Sequence, residues 1–111
     1  TKTKLSQKVK IKFNICKKLY NERKFKESII ACHSALKEDP KNSDVQSFKR
    51  KVLSELRKEM KMIYEDSILE ESLGNVEAAK EKWKRIMELD IPSDEYYVKA
   101  KSKLKKYGIG I

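Results

Sequence analysis

Apolar residues recur at intervals of three and four along most of the chain, which is the spacing of one face of an α-helix. The pattern predicts a first helix over residues 5–22. One apolar stripe of this helix consists of Val9, Phe13, Cys16 and Tyr20. A second stripe beside it consists of Ile11, Ile15 and Leu19. Together the two stripes cover so wide an arc that the helix must contact more than one neighbour.

A proline ends the second predicted helix, which covers residues 25–38. Pro40 lacks a backbone N–H and disfavours helical geometry in the residue before it. The third helix is predicted to begin at Ser43, because Gln46 follows three residues later and the two can form a capping box.

The third helix is predicted over residues 43–73, since no breaker interrupts its apolar pattern until Gly74. This is long for a small globular domain. The apolar stripe changes side near Met60–Tyr64, which allows a kink there. Two shorter helices are predicted after the glycine, over residues 76–89 and 94–107.

These elements predict an all-α fold with about five helices in a single domain over residues 1–111. We expect a hairpin over residues 5–39, a long shared helix over 43–73, and a hairpin with a capping helix over 62–107. The composition agrees, because the chain has only three Gly and two Pro. Its hydrophobic share of 39 % is enough for one modest core.

Two segments of the chain resemble each other, at residues 25–40 and 76–92. Each is a helix with a small residue at its fourth position, Ser28 in one and Ala79 in the other. A larger packing residue follows four positions later, and an acidic residue and a proline close each segment. Repetition of a helix–turn–helix unit is typical of α-solenoids.

The segments LYNERKFKESIIACHSALKEDPKN (19–42) and LGNVEAAKEKWKRIMELDIP (73–92) resemble tetratricopeptide repeats. The second is the better match, with Gly74 at the turn, Ala79 as the small contact residue and Trp83 as the aromatic one. The resemblance implies a fold of tetratricopeptide-like helical hairpins and a role in binding other proteins. Because the two segments lie further apart than consecutive repeats of that family, we expect the long third helix to be shared between two hairpins.

Trp83 is the predicted anchor of the second hairpin. Ala79 lies one turn earlier on the same face and is small enough for a neighbouring helix to come close. The indole ring then fills the volume beyond that contact. We expect Tyr97 or Leu104 of the last helix to close over the ring.

In the tetratricopeptide family, the first helix of each hairpin lines a concave face that binds the partner. The resemblance implies that the matching positions here bind an acidic or extended segment of another protein. Asparagine amides can hold the backbone of such a segment, and lysines can pair with its carboxylates. These positions are Lys10, Phe13, Asn14, Lys17, Tyr20, Asn21, Lys61, Tyr64, Glu65, Ile68 and Glu71.

The net charge of +10 leaves a second hypothesis open, because the lysine-rich terminal helices could hold a nucleic acid electrostatically. Base readout favours arginine, whereas nearly all the basic residues here are lysine, so such binding would not depend on nucleotide sequence. We therefore favour a protein partner. A third hypothesis is self-association, since the long helix has more apolar surface than two short hairpins cover.

The sequence lacks the residues of an enzyme site. His33 is the only histidine and lies next to Cys32 in the chain, so the two side chains point in different directions. No glycine-rich phosphate loop is present, and there are too few Cys and His residues for a zinc site. We therefore expect no catalytic activity, no metal and no cofactor.

The two cysteines, Cys16 and Cys32, are expected to be reduced thiols, with a disulfide between them as the open alternative. Reduced thiols favour a cytoplasmic protein. No apolar run approaches the roughly 20 residues of a membrane span, so no membrane insertion is expected. We recognise no secretory signal and expect the chain to be one part of a longer protein.

Overall fold

The computed structural model describes residues 2–109, with side chains from Ser6 onward. Within that range the chain forms five helices and no strand, which confirms the all-helical prediction. The helices are α1 (Lys2–Asn21), α2 (Phe25–Glu38), α3 (Ser43–Ser72), α4 (Val76–Leu89) and α5 (Glu95–Lys106). The predicted long helix is confirmed, because α3 is a continuous helix of 30 residues.

Left-handed backbone ends both α1 and α3. Gly74 has a φ of +84°, and Asn75 N–H donates to Glu70 C=O at 2.8 Å, which closes the last turn of α3. At the end of α1, Arg23 adopts a φ of +60°, and Lys24 N–H donates to Leu19 C=O at 2.9 Å. The same turn is therefore made with a glycine in one place and with an arginine in the other, although a side chain disfavours this geometry.

The predicted capping box at the start of α3 is wrong. Ser43 already belongs to the helix, and the cap is Asn42, whose Oδ1 accepts from Val45 N–H at 3.1 Å. The side chain of Gln46 turns back to Pro40, donating from Nε2 to the proline carbonyl at 2.7 Å. Asparagine caps helices as well as serine does. Because Asn42 is the cap, the first residue of α3 is Ser43.

The chain forms two compact units, one up to Glu55 and the other from Leu56 onward, and the boundary lies within α3. Buried side chains of the first unit come from α1, α2 and the start of α3: Val9, Cys16, Cys32, Ala35 and Val45. Buried apolar side chains of the second unit come from the rest of α3, α4 and α5: Leu56, Met60, Ala79, Trp83, Ile86, Ala100 and Leu104.

A disulfide joins α1 to α2, so the expectation of reduced thiols is wrong. Cys16 and Cys32 are both fully buried, their Cα atoms are 5.3 Å apart, and their sulfurs are bonded at 2.06 Å. Ser28 lies beside the disulfide, and its hydroxyl donates to the carbonyl of Cys16 at 2.7 Å. This small buried residue lets the two helices approach closely at the level of the cysteines.

Candidate interaction surfaces

Three aromatic rings and two lysines form a surface on the first unit, which we call the aromatic–lysine surface. It consists of Phe13, Lys17, Tyr20, Phe48 and Lys51, from α1 and α3. Phe48 contacts both other rings edge-on, with ring centroids 5.6 Å from Phe13 and 5.3 Å from Tyr20. Lys17 Nζ lies 4.2 Å from the Phe13 centroid, and Lys51 Nζ lies 5.0 Å from that of Tyr20.

The rings of the aromatic–lysine surface are half-buried, whereas both lysines are exposed. Each ammonium group rests over a ring face and still has N–H donors directed to solvent. The surface is therefore apolar at its base and cationic at its rim. Lys10, Asn14 and Asn21, which the resemblance also assigned to the binding face, are exposed on the same helix.

Sequence reasoning identified the α1 members of this surface but missed Phe48 and Lys51. Phe48 lies within the apolar pattern of the third helix, which by itself indicates only a buried position. Its role depends on where α3 packs against α1, which periodicity along one helix does not reveal.

Glu71, assigned by the resemblance to partner binding, is held by two lysines of α5 and by Tyr107, the residue that follows α5. Lys103 Nζ donates to Oε1 at 2.8 Å, Tyr107 Oη donates to Oε2 at 2.7 Å, and Lys106 Nζ lies 3.8 Å from Oε2. These hydrogen bonds lower the pKa of the Glu71 carboxyl, and the bond from Lys103 has a larger effect than the bond from Tyr107. Both carboxylate oxygens are thus engaged within the second unit.

Trp83 has no exposed surface. The ring stacked on it is that of Tyr107, with centroids 5.7 Å apart and planes at 19°. Of the two residues expected to close over Trp83, Leu104 is buried and Tyr97 is half-buried. Among the residues that the structure describes, the indole Nε1–H has no hydrogen-bond acceptor.

The remaining predicted positions lie along α3. The Tyr64 ring contacts that of Tyr96 at 5.7 Å, and Lys99 Nζ lies within 6 Å of both centroids, at 5.7 Å and 5.2 Å. Lys61 and Glu65 are exposed and pair with each other at 3.9 Å. Ile68 is half-buried. These residues all belong to the second unit.

Two buried aspartates follow α4. Asp90 has no exposed surface, and its Oδ1 accepts from Ile91 N–H at 2.9 Å. Asp94 accepts from Arg57 Nε at 3.2 Å and from Tyr96 N–H at 3.3 Å, and so caps α5. Sequence reasoning used Asp94 only as a helix start, and Asp90 only as the acidic residue that closes the second repeated segment.

The proximity of the two carboxyls separates their pKa values. Burial, together with the hydrogen bond and the charge of Asp94, raises the pKa of Asp90 to about 7. Burial acts upward on Asp94 too, but hydrogen bonds from Asp90 and Arg57 outweigh it and lower the pKa of Asp94. Near neutral pH the pair therefore shares one proton.

Within residues 2–109, no three His, Cys, Asp or Glu side chains come together as a metal site would require. None of the helices in that range combines the length and the apolar content of a membrane span. No family model, no curated protein and no solved structure matches the chain.

Proposed function

We propose that the chain is a non-catalytic protein-interaction module that binds an acidic or extended segment of a partner. The observation that carries the proposal is the aromatic–lysine surface, where the exposed ammonium groups of Lys17 and Lys51 lie over half-buried rings. Such a surface offers apolar area together with charge, and both favour a peptide that alternates carboxylates with apolar side chains.

The proposal includes a tetratricopeptide-like arrangement of hairpins. It is supported by the left-handed turn residues Gly74 and Arg23, which occupy equivalent places after α3 and α1. It is also supported by the small residues Ser28 and Ala79, both fully buried at matching positions of α2 and α4. In such an arrangement α1 would present its Phe13 side to the partner.

In the proposed complex, partner carboxylates pair with Lys17 and Lys51, and the exposed amides of Asn14 and Asn21 hydrogen-bond to the partner backbone. The ring of Phe48 supplies apolar contact between the two lysines. Exposed charge pairs each contribute about 0.2–1 kcal/mol, so affinity comes from several contacts acting together.

The disulfide changes the expected compartment. The cytoplasmic expectation rested on reduced Cys16 and Cys32, and that support is gone because the two are bonded. Disulfides persist in oxidising compartments and are rare in the cytosol of mesophiles. We propose that the module works in an oxidising compartment.

A random-peptide display selection tests the proposed function. We expect the selected peptides to be enriched in Asp and Glu, and Lys17→Ala with Lys51→Ala to weaken their binding about tenfold. The matched control is Lys37→Ala, an exposed lysine of α2 outside this surface, which leaves binding unchanged. Selection of peptides without acidic enrichment, or equal affinity for all variants, would refute the proposal.

One observation favours nucleic acid as a second candidate partner. On the second unit, Lys99 lies over Tyr64 and Tyr96, which places a cation next to two rings on which bases could stack. Fluorescence titration with a labelled single-stranded oligonucleotide at about 50 mM salt distinguishes the candidates. Binding that is lost in Lys99→Ala but retained in Lys17→Ala would favour nucleic acid.

A further inference from the structure

One side of α1 exposes isoleucines among lysines, and we call it the basic stripe. It consists of Ile11 and Ile15, flanked by Lys8 and Lys18. The two isoleucines are 61 % and 47 % exposed and lie on the side of α1 opposite the buried Val9. All of α1 contains seven lysines and no acidic residue. The basic stripe is thus a separate surface from the aromatic–lysine surface of the same helix.

One side of α3 exposes apolar side chains among carboxylates, and we call it the acidic stripe. It consists of Met62 and Leu69 on α3 and of Leu73 directly after its end, with Asp66 and Glu70 beside them. The three apolar side chains are 67 %, 58 % and 66 % exposed. The last turn of α3 contains no basic residue. The acidic stripe lies in the second unit, whereas the basic stripe lies in the first.

The two stripes are complementary in spacing and in charge. Ile11 and Ile15 are four residues apart, as are Leu69 and Leu73, so each pair forms a ridge of the kind that packs into the groove of another helix. Lysines flank one ridge and carboxylates flank the other. Two copies of the basic stripe would repel each other, and so would two copies of the acidic stripe.

We propose that the chain associates head to tail with a second copy of itself, the basic stripe of one copy docking on the acidic stripe of the next. The contact is heterologous, because two different surfaces meet, so each copy keeps one stripe of each kind free after pairing. Addition of further copies then produces a ring or an open chain, depending on the rotation between successive copies.

The expected association is weak. Five partly exposed side chains cover much less than the roughly 1,200–2,000 Å² of a stable complex. We expect a Kd of roughly 0.1–1 mM, visible as a rise in average mass over that concentration range in sedimentation equilibrium. Raising the salt concentration should weaken association, since it screens the attraction between lysines and carboxylates.

A mixing experiment tests the head-to-tail geometry. One variant carries Ile11→Glu and Ile15→Glu, and keeps only its acidic stripe. The other carries Leu69→Lys and Leu73→Lys, and keeps only its basic stripe. We expect each variant alone to remain monomeric at concentrations where the natural chain associates, and an equimolar mixture to form one-to-one dimers and nothing larger.

Two further variants serve as controls. Ile30→Glu on α2 and Val98→Lys on α5 alter exposed apolar residues outside both stripes, and should associate like the natural chain. The variant with Ile11→Gln and Ile15→Gln removes the apolar side chains of the same stripe without adding negative charge. It should raise the Kd at least about fivefold. Circular dichroism verifies that every variant is folded.

Three outcomes would overturn the proposal. A chain that stays monomeric at about 1 mM does not self-associate in this way. Association that persists in either stripe variant alone would place the contact elsewhere. A monomer that instead sediments with phosphatidylserine vesicles, through Ile11 and Ile15, would assign the basic stripe to a membrane surface.

Discussion

Replacing Asp90 by asparagine should remove a pH dependence of stability that the buried aspartate pair creates. Asp90 is fully buried, and its pKa is raised from 3.8 to about 7. A group whose pKa is raised by folding stabilises the fold in its protonated form. That stabilisation is complete below the unfolded pKa and is lost as pH rises through the folded one.

The size of the effect follows from the two pKa values. A raised pKa of about 7 against 3.8 implies that about 3 kcal/mol of unfolding free energy is lost between pH 5 and pH 8.5. Asp94 acts in the opposite sense, because folding lowers its pKa. Its stabilising contribution is complete above the unfolded pKa of 3.8 and is lost as pH falls through the lowered pKa. The pair is therefore most stabilising in weakly acidic solution.

An asparagine at this position imitates the protonated acid, since it has nearly the same shape and carries no charge at any pH. Urea unfolding between pH 5 and pH 8.5 measures the outcome. We expect Asp90→Asn to match the natural chain at pH 5 and to exceed its unfolding free energy by about 2–3 kcal/mol at pH 8.5. Asp66→Asn removes the same charge from an exposed position of α3 and is the control. Equal pH slopes for the natural chain and Asp90→Asn would refute the reasoning.

Two further predictions concern the cores of the two units. Trp83→Ala should lower the unfolding free energy by about 3–5 kcal/mol, because the ring is fully buried. In the natural chain the tryptophan emission should be blue-shifted, and emission typical of a solvated indole would contradict the burial of the ring. Reduction of the Cys16–Cys32 disulfide should lower the unfolding free energy by about 3 kcal/mol in urea titrations. Dithiothreitol should have no such effect on the variant with Cys16→Ala and Cys32→Ala, and an unchanged midpoint for the natural chain would contradict the prediction.

The helices could be predicted because their signals are local. The spacing of apolar residues and the breakers Pro40 and Gly74 are properties of short segments, and they located all five elements to within a few residues. Helix ends were predicted less well: the capping-box pattern favoured Ser43 as the cap of α3, whereas the cap is Asn42, a residue type that caps equally well.

Pairings between helices could not be predicted, because they depend on which faces meet. The apolar stripe of the first helix contains Cys16, and Cys32 lies within the second predicted helix, yet their bond requires α1 and α2 to present those residues at one level. The same holds for Phe48 against Phe13, and for Tyr107 on Trp83. Each of these contacts joins residues far apart in sequence, where helical periodicity carries no information.

The contact between Trp83 and Tyr107 gives the molecule a fluorescent reporter of its own. Trp83 is the only tryptophan in the chain, and Tyr107, stacked on its indole, donates its hydroxyl to Glu71 at 2.7 Å. Any ligand that takes Glu71 away from Tyr107 would free the phenol ring and change the surroundings of the indole. Intrinsic emission would therefore record an event at Glu71 without an added label, and at the concentrations of an ordinary titration.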